Sequence, residues 1–133
     1  MVNVLLPVDG SPASSRAVRM VVALYVRLAP VGITLLHVEV ADGVSDDRLA
    51  NASPAAARDP LAEAKALLDQ AGVPYRSETR KGYVASAIVE CAKANNCDAI
   101  VMGTRGLGST SELLGSVARQ VIMLAEGPVT LVK

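Results

Sequence analysis

The sequence predicts an α/β fold: an open, five-stranded parallel sheet, doubly wound, with four crossover helices. Two observations carry this expectation. Short apolar runs alternate strictly with amphipathic stretches of helical period along the 133 residues, the pattern of successive βαβ units wound right-handedly. The runs at 2–8 and 98–102 are apolar but for Asn3 and Asp98 and do not alternate, as strands buried on both faces require.

Taken in order, "VNVLLPV" (2–8) is the first strand. In the helix expected over 11–29, Val18, Val21, Val22, Tyr25 and Leu28 recur at three and four, with Arg16, Arg19 and Arg27 mostly on the other side. Ser11 is placed to cap it, and Pro12 suits a first turn where no N–H is needed. "GITLLHVEV" (32–40) is the second strand. Residues 41–59 lose periodicity and read as a long loop, whose Asn51-Ala52-Ser53 sequon has no meaning without a secretory signal. A helix over 60–72 closes at Gly72, and the polar stretch 74–79 suits an edge strand. Gly82 opens the helix through "YVASAIVECAKANN". The strand "DAIVM" (98–102) then enters a glycine-rich segment, which leads to a helix over 116–126 and a last strand, 128–132, begun by Pro128.

Composition narrows the function. The length fits one domain, 1–133. Thirteen basic residues balance thirteen acidic ones, so no diffuse positive field exists for nucleic acid or a membrane surface, and any anion site must be local. Three tyrosines, with no Phe or Trp, give no stacking platform for single-stranded nucleic acid. The N-terminus lacks a basic n-region, and the apolar region 17–38 is broken by Arg19, Arg27 and Pro30; a cytoplasmic chain with no membrane span is expected. Cys91 and Cys97, six apart beside a single histidine, match neither a redox nor a zinc spacing and read as buried, reduced thiols.

Two strand ends carry candidate chemistry. In "PVDGS", Asp9 sits just past the first strand, as a turn residue or as a ligand. After the fourth strand comes "MGTRGLGSTSELLGSVARQVI" (102–122). Gly103, Gly106 and Gly108 are compatible with an ordinary turn, and Ser109-x-x-Glu112 fits a capping box for a helix starting near Thr110. Gly115 would then lie inside that helix at a cost of about 1 kcal/mol relative to alanine. If the long helix instead begins at Gly115-Ser116, its free N–H groups and positive dipole end face Gly103 and Gly106 and form an anion site, with the Ser116 hydroxyl as a further donor. Neither a P-loop nor a Gly-x-Gly-x-x-Gly after the first strand is present.

Over nearly its full length the chain resembles single-domain universal stress proteins, through "LLPVDGS", "LLHVEV", "DAIVMGTRGLGS", "LLGSVARQVI" and "PVTLVK". The resemblance implies strand order 3-2-1-4-5, with the winding reversal between strands one and four and Asp9 beside Gly103. It implies ATP, with ADP or AMP as alternatives, and Mg²⁺ held through the phosphates. Pro7, Val8 and Asp9 would line the adenosine pocket, and Val38 would meet the adenine edge through its backbone. Met102, Gly103, Gly106, Gly115, Ser116 and Val117 would surround ribose and phosphates; Arg105, Gly108 and Ser109 complete the candidate set. The family's ATP-binding pattern has nine residues between its second glycine and the Gly-Ser pair, whereas this chain has eight, Leu107 to Leu114. That shortening motivates an alternative, a nucleotide-free dimeric interaction module. A slow ATP hydrolase is disfavoured because no catalytic base or cradle lysine stands out. His37 reads as a satisfied core or sheet-end histidine. The last strand is an edge with only Pro128 and Lys133 to blunt it, so a homodimer through 128–132 is expected, as is common in the family; cover by the 41–59 loop is the alternative.

Overall fold

The apolar run at the N-terminus becomes β1 (Val2–Pro7), the middle strand of five, in a computed structural model that describes residues 1–28, 30–40, 59–104 and 114–133. The chain continues through α1 (Pro12–Leu28), β2 (Val31–Val40), α2 (Ala62–Gln70), β3 (Tyr75–Gly82), α3 (Val84–Ala94), β4 (Ala99–Gly103), α4 (Ser116–Leu124) and β5 (Val129–Val132). All strand pairs are parallel, in the order β3-β2-β1-β4-β5. The expected alternation and strand order are therefore both present.

Strand side chains alternate in direction, and that alternation builds two cores. Val4, Leu6, Val8, Ile33, Leu35 and Val101 join Val18 and Val21 of α1 and Ala64 and Leu68 of α2 on one face. Leu5, Leu36, Val38, Ile100 and Met102 join Ile88 and Cys91 of α3 and Val121 of α4 on the other. Of the apolar face read from the sequence of the first helix, Val18 and Val21 are fully buried and Val22 packs at the margin; the side chains of Tyr25 and Leu28 lie outside the described set.

Local signals set the element ends. Ser11 caps α1: its Oγ accepts the Ser14 N–H at 3.2 Å and its carbonyl accepts the Ser15 N–H at 3.1 Å. Gly72, at φ +68°, closes α2; its N–H donates to the Asp69 carbonyl and the Val73 N–H to the Leu68 carbonyl, a Schellman closure with Val73 buried. The 41–59 loop falls outside the described residues except for Asp59. One boundary is corrected. The third strand does not stop at Thr79: Arg80, Lys81 and Gly82 pair with Val38, Glu39 and Val40, so Gly82 ends β3 at φ +141° and does not open α3. The ladder to β2 holds these polar residues in the strand despite their low β-propensity.

A polar network ties edge strand β3 to the C-terminal end of α3. Glu78 accepts from Asn95 Nδ2 at 2.9 Å and from Arg80 Nε at 2.9 Å, while Arg76 donates to Asn95 Oδ1 at 2.8 Å. The Asn95 hydrogen bond, followed by those from Arg80, holds the Glu78 carboxyl below its ordinary pKa. A lowered native pKa adds stability that is present above the unfolded carboxylate value and is lost as pH falls through the native one. Glu78→Gln is therefore expected to cost about 1 kcal/mol at neutral pH, a modest figure because the carboxylate is partly solvated. Urea melts across pH should show that difference vanish in acid.

Burial, then the neighbouring Glu78 carboxylate, pushes the Cys91 thiol up to about 11. The Cys97 thiol is half-buried and also raised, chiefly by burial. Because the thiolate is the reactive form, Cys91 should resist iodoacetamide at pH 8 until denaturant is added. Mass spectrometry that found rapid labelling of Cys91 in the folded protein would contradict this.

Candidate functional site

A doubly wound sheet opens a crevice at the carboxyl ends of the strands where the winding reverses, here between β1 and β4. The β1 side is a turn built by its own residues. The Val8 N–H continues the ladder to the Leu36 carbonyl at 2.8 Å; Gly10 then takes φ +81°, and Asp9 Oδ1 accepts the Ser11 N–H at 2.9 Å. Asp9 thus fills its turn role, shaping the approach to α1.

The β4 side is set by close packing. A Cβ on Gly103 would stand 2.7 Å from the Ala13 Cβ and 2.9 Å from the Ala13 carbonyl carbon, so the first turn of α1 lies directly against the end of β4. Thr104, which the sequence reading did not single out, is the anchor. Its N–H donates to the Val132 carbonyl at 2.9 Å, and its carbonyl accepts the Gly115 N–H at 2.7 Å. The second bond holds the start of α4 against the carboxyl end of β4. No local sequence signal marks Thr104, because its role is to join segments distant along the chain.

The long helix begins at Ser116 with Gly115 as its N-cap, as Gly115 suggested, and among the described residues no side chain caps it. The first N–H groups of a helix have no acceptor within it, which makes the start of α4 a candidate place for an anion. None of α1, α3 and α4 carries an acidic residue in its first turn; among the described helices only α2 does, with Glu63. The start of α1 is met by the Asp9 carboxylate at the Ser11 N–H, whereas α4 has no acidic residue in its first turn to offset its positive end.

The predicted site residues divide into three groups. Pro7, Asp9, Gly103, Gly115, Ser116 and Val117 stand at the crevice ends of β1, β4 and α4, with Ser116 exposed. Val8, Val38 and Met102 are each 6 % exposed, their side chains in the two cores, so they can offer a ligand their backbone. Arg105, Gly106, Gly108 and Ser109, together with the capping box from Ser109 to Glu112 and the start near Thr110, lie outside the described residues. His37 is half-buried, with Nδ1 3.4 Å from the Val8 carbonyl oxygen, a satisfied sheet-end position.

The strand register leaves a further feature. β1 stops pairing at Pro7 opposite Leu36, but β2 continues beside β3 as far as Val40 opposite Gly82. From Val38 to Val40, β2 has a β3 neighbour and no β1 partner. Among the described residues, Val38 and Val40 there turn backbone donors and acceptors toward the β1 side with no strand partner.

Such a crevice in a 3-2-1-4-5 parallel sheet defines a Rossmann-like, doubly wound α/β protein. Within that class the chain belongs to the universal stress protein family, whose model matches residues 1–133. A universal stress protein of Synechocystis sp. is 35% identical over 133 residues, covering 98% of this chain and 84% of the relative. One of Methanocaldococcus jannaschii is 31% identical over 138 residues, covering 98% of this chain and 81% of the relative. Among solved structures, the hypothetical protein MJ0577 matches with a TM-score of 0.80 at 28% identity, over 99% of this chain and 95% of its own. The universal stress protein of Archaeoglobus fulgidus in complex with dAMP matches at TM-score 0.73 and 26% identity, over 100% and 98%. A universal stress protein in complex with cAMP matches at TM-score 0.68 and 25% identity, over 99% and 96%.

Proposed function

We propose that the chain binds an adenine nucleotide, ATP carrying Mg²⁺ on its phosphates, in the crevice between β1 and β4, and acts as a cytoplasmic, nucleotide-responsive stress or signalling protein. The observation that carries the reading is the Thr104–Gly115 hydrogen bond, which sets an uncapped helix start against the glycine-bearing end of β4. Phosphate oxygens accept from the first N–H groups of α4 and from the Ser116 hydroxyl, while Gly115 lets the backbone come close. Adenosine lies over Pro7, Val8 and Asp9, and its adenine edge meets the unpaired backbone at Val38. Arg105, Gly106, Gly108 and Ser109 complete the phosphate side. The relatives solved with dAMP and cAMP support the ligand class. Among the described residues no group of three His, Cys, Asp or Glu could hold an ion, and in this reading the triphosphate carries the Mg²⁺. The proposal includes a homodimer through β5.

Purified protein should release adenine nucleotide on denaturation, detected by mass spectrometry, and nucleotide-free protein should bind ATP in calorimetry. No nucleotide released, no heat and no competition with a fluorescent ATP analogue would overturn the reading and favour the nucleotide-free dimeric module that the eight-residue spacing motivates.

A further inference from the structure

Tyr83 breaks two rules at one position. It is the N-cap of α3, where Ser, Thr, Asp, Asn or Gly is preferred because a short side chain satisfies a free N–H; the tyrosine makes no such bond. It is also 82% exposed in a chain with only three tyrosines and no Phe or Trp. Tyr75 supplies the contrast, packed against the first core. Neither capping nor packing accounts for Tyr83. A residue that violates local rules without a structural return is where function is expected.

Its place in the fold is specific. β3 pairs with β2 up to Gly82 opposite Val40, and α3 packs across β1, β2 and β3. Tyr83 therefore follows directly on the carboxyl end of β3, on the crevice side of the sheet. Along the strand direction it lies about 10 Å past the Val38–Arg80 pair, at the mouth of the space above the unpaired backbone of β2. Gly82, at φ +141°, turns the chain there from strand to helix. An exposed aromatic ring at the same end of the sheet as a backbone edge suited to hydrogen-bonding a base can close over the base while its edge is read.

We propose that Tyr83 is the aromatic wall of the base pocket, its ring stacking on the adenine of the bound nucleotide. The proposal rests on the adenine-nucleotide reading and adds a base-contacting residue to it. Stacking acts on the base and not on the phosphates, so the side chain should matter for ATP and be irrelevant to inorganic tripolyphosphate.

The absence of tryptophan makes tyrosine emission a direct reporter. ATP is expected to quench part of the emission of the wild-type chain, and Tyr83→Phe should abolish that part while keeping the affinity. By calorimetry Tyr83→Ala should bind ATP roughly tenfold more weakly and tripolyphosphate unchanged. Since the side chain is exposed, neither variant should shift the thermal melt. If wild type binds ATP and Tyr83→Ala binds it equally well, the stacking role is wrong and the nucleotide reading stands. Equal weakening toward ATP and tripolyphosphate would also overturn the stacking role. A wild-type chain that does not bind ATP overturns both.

Discussion

Replacing Gly103 by alanine is expected to destabilise the fold by about 2 kcal/mol, as overpacking commonly does, and to lower the melting temperature by roughly 5–10 °C. The added Cβ would meet the Ala13 Cβ at 2.7 Å and, at 2.9 Å, a backbone carbon that cannot rotate away. Relief requires α1 to move off the end of β4. Gly115→Val is expected to behave in the opposite way. Gly115 sits at φ −64° and ψ 156°, a conformation open to any residue, so the backbone does not demand glycine there. In the proposed site its absent side chain lets the phosphates come close, and valine should leave the melt nearly unchanged while weakening ATP about a hundredfold through lost charge-assisted hydrogen bonds. His37→Ala, away from the phosphates, should bind ATP nearly as wild type does. Thermal melts and calorimetry on the three variants separate a glycine the fold requires from one the ligand requires. A Gly115→Val protein with wild-type affinity would remove α4 from the site.

The sequence carried those features that neighbouring residues decide. Ser11 followed by Pro12, Gly72 after an apolar stripe and Gly115 before Ser116 each encode a helix end through bonds within a few residues, and each end is where it was expected. The extension of β3 through Arg80 and Lys81 was not legible, because pairing with β2 outweighs the preference of those side chains. The reason for Gly103 was hidden for a similar cause: its need for no side chain comes from Ala13, ninety residues earlier in the chain. Asp9 was read either as a turn residue or as a ligand; the turn role is realised through the Ser11 N–H, and the ligand role belongs to the proposal.

The second large effect is expected at the open edge of the sheet. β5 is terminal in the strand order, and its ladder to β4 shows which backbone groups are engaged. The Ile100 N–H donates to the Pro128 carbonyl and the Thr104 N–H to the Val132 carbonyl. Residues 128, 130 and 132 therefore face β4, and Val129 and Leu131 turn their N–H and C=O groups outward. A second copy pairing there about a two-fold axis would satisfy these groups, and α4, beside β5, would bring its exposed Ile122, Met123 and Leu124 near the contact. The side chains of Val129 and Leu131 already pack against the second core, so a charged residue at Leu131 would damage the monomer as well as the dimer. Val129→Pro is the cleaner test. Proline removes one outward N–H, keeps an apolar side chain and suits the start of an edge strand. Because the symmetry repeats the loss in both copies, dimer affinity should fall roughly tenfold or more, with the monomer fold intact. Sedimentation should show a wild-type dimer at micromolar concentration and a Val129→Pro monomer at the same loading. A monomeric wild type, or a Val129→Pro dimer of undiminished affinity, would refute pairing through β5.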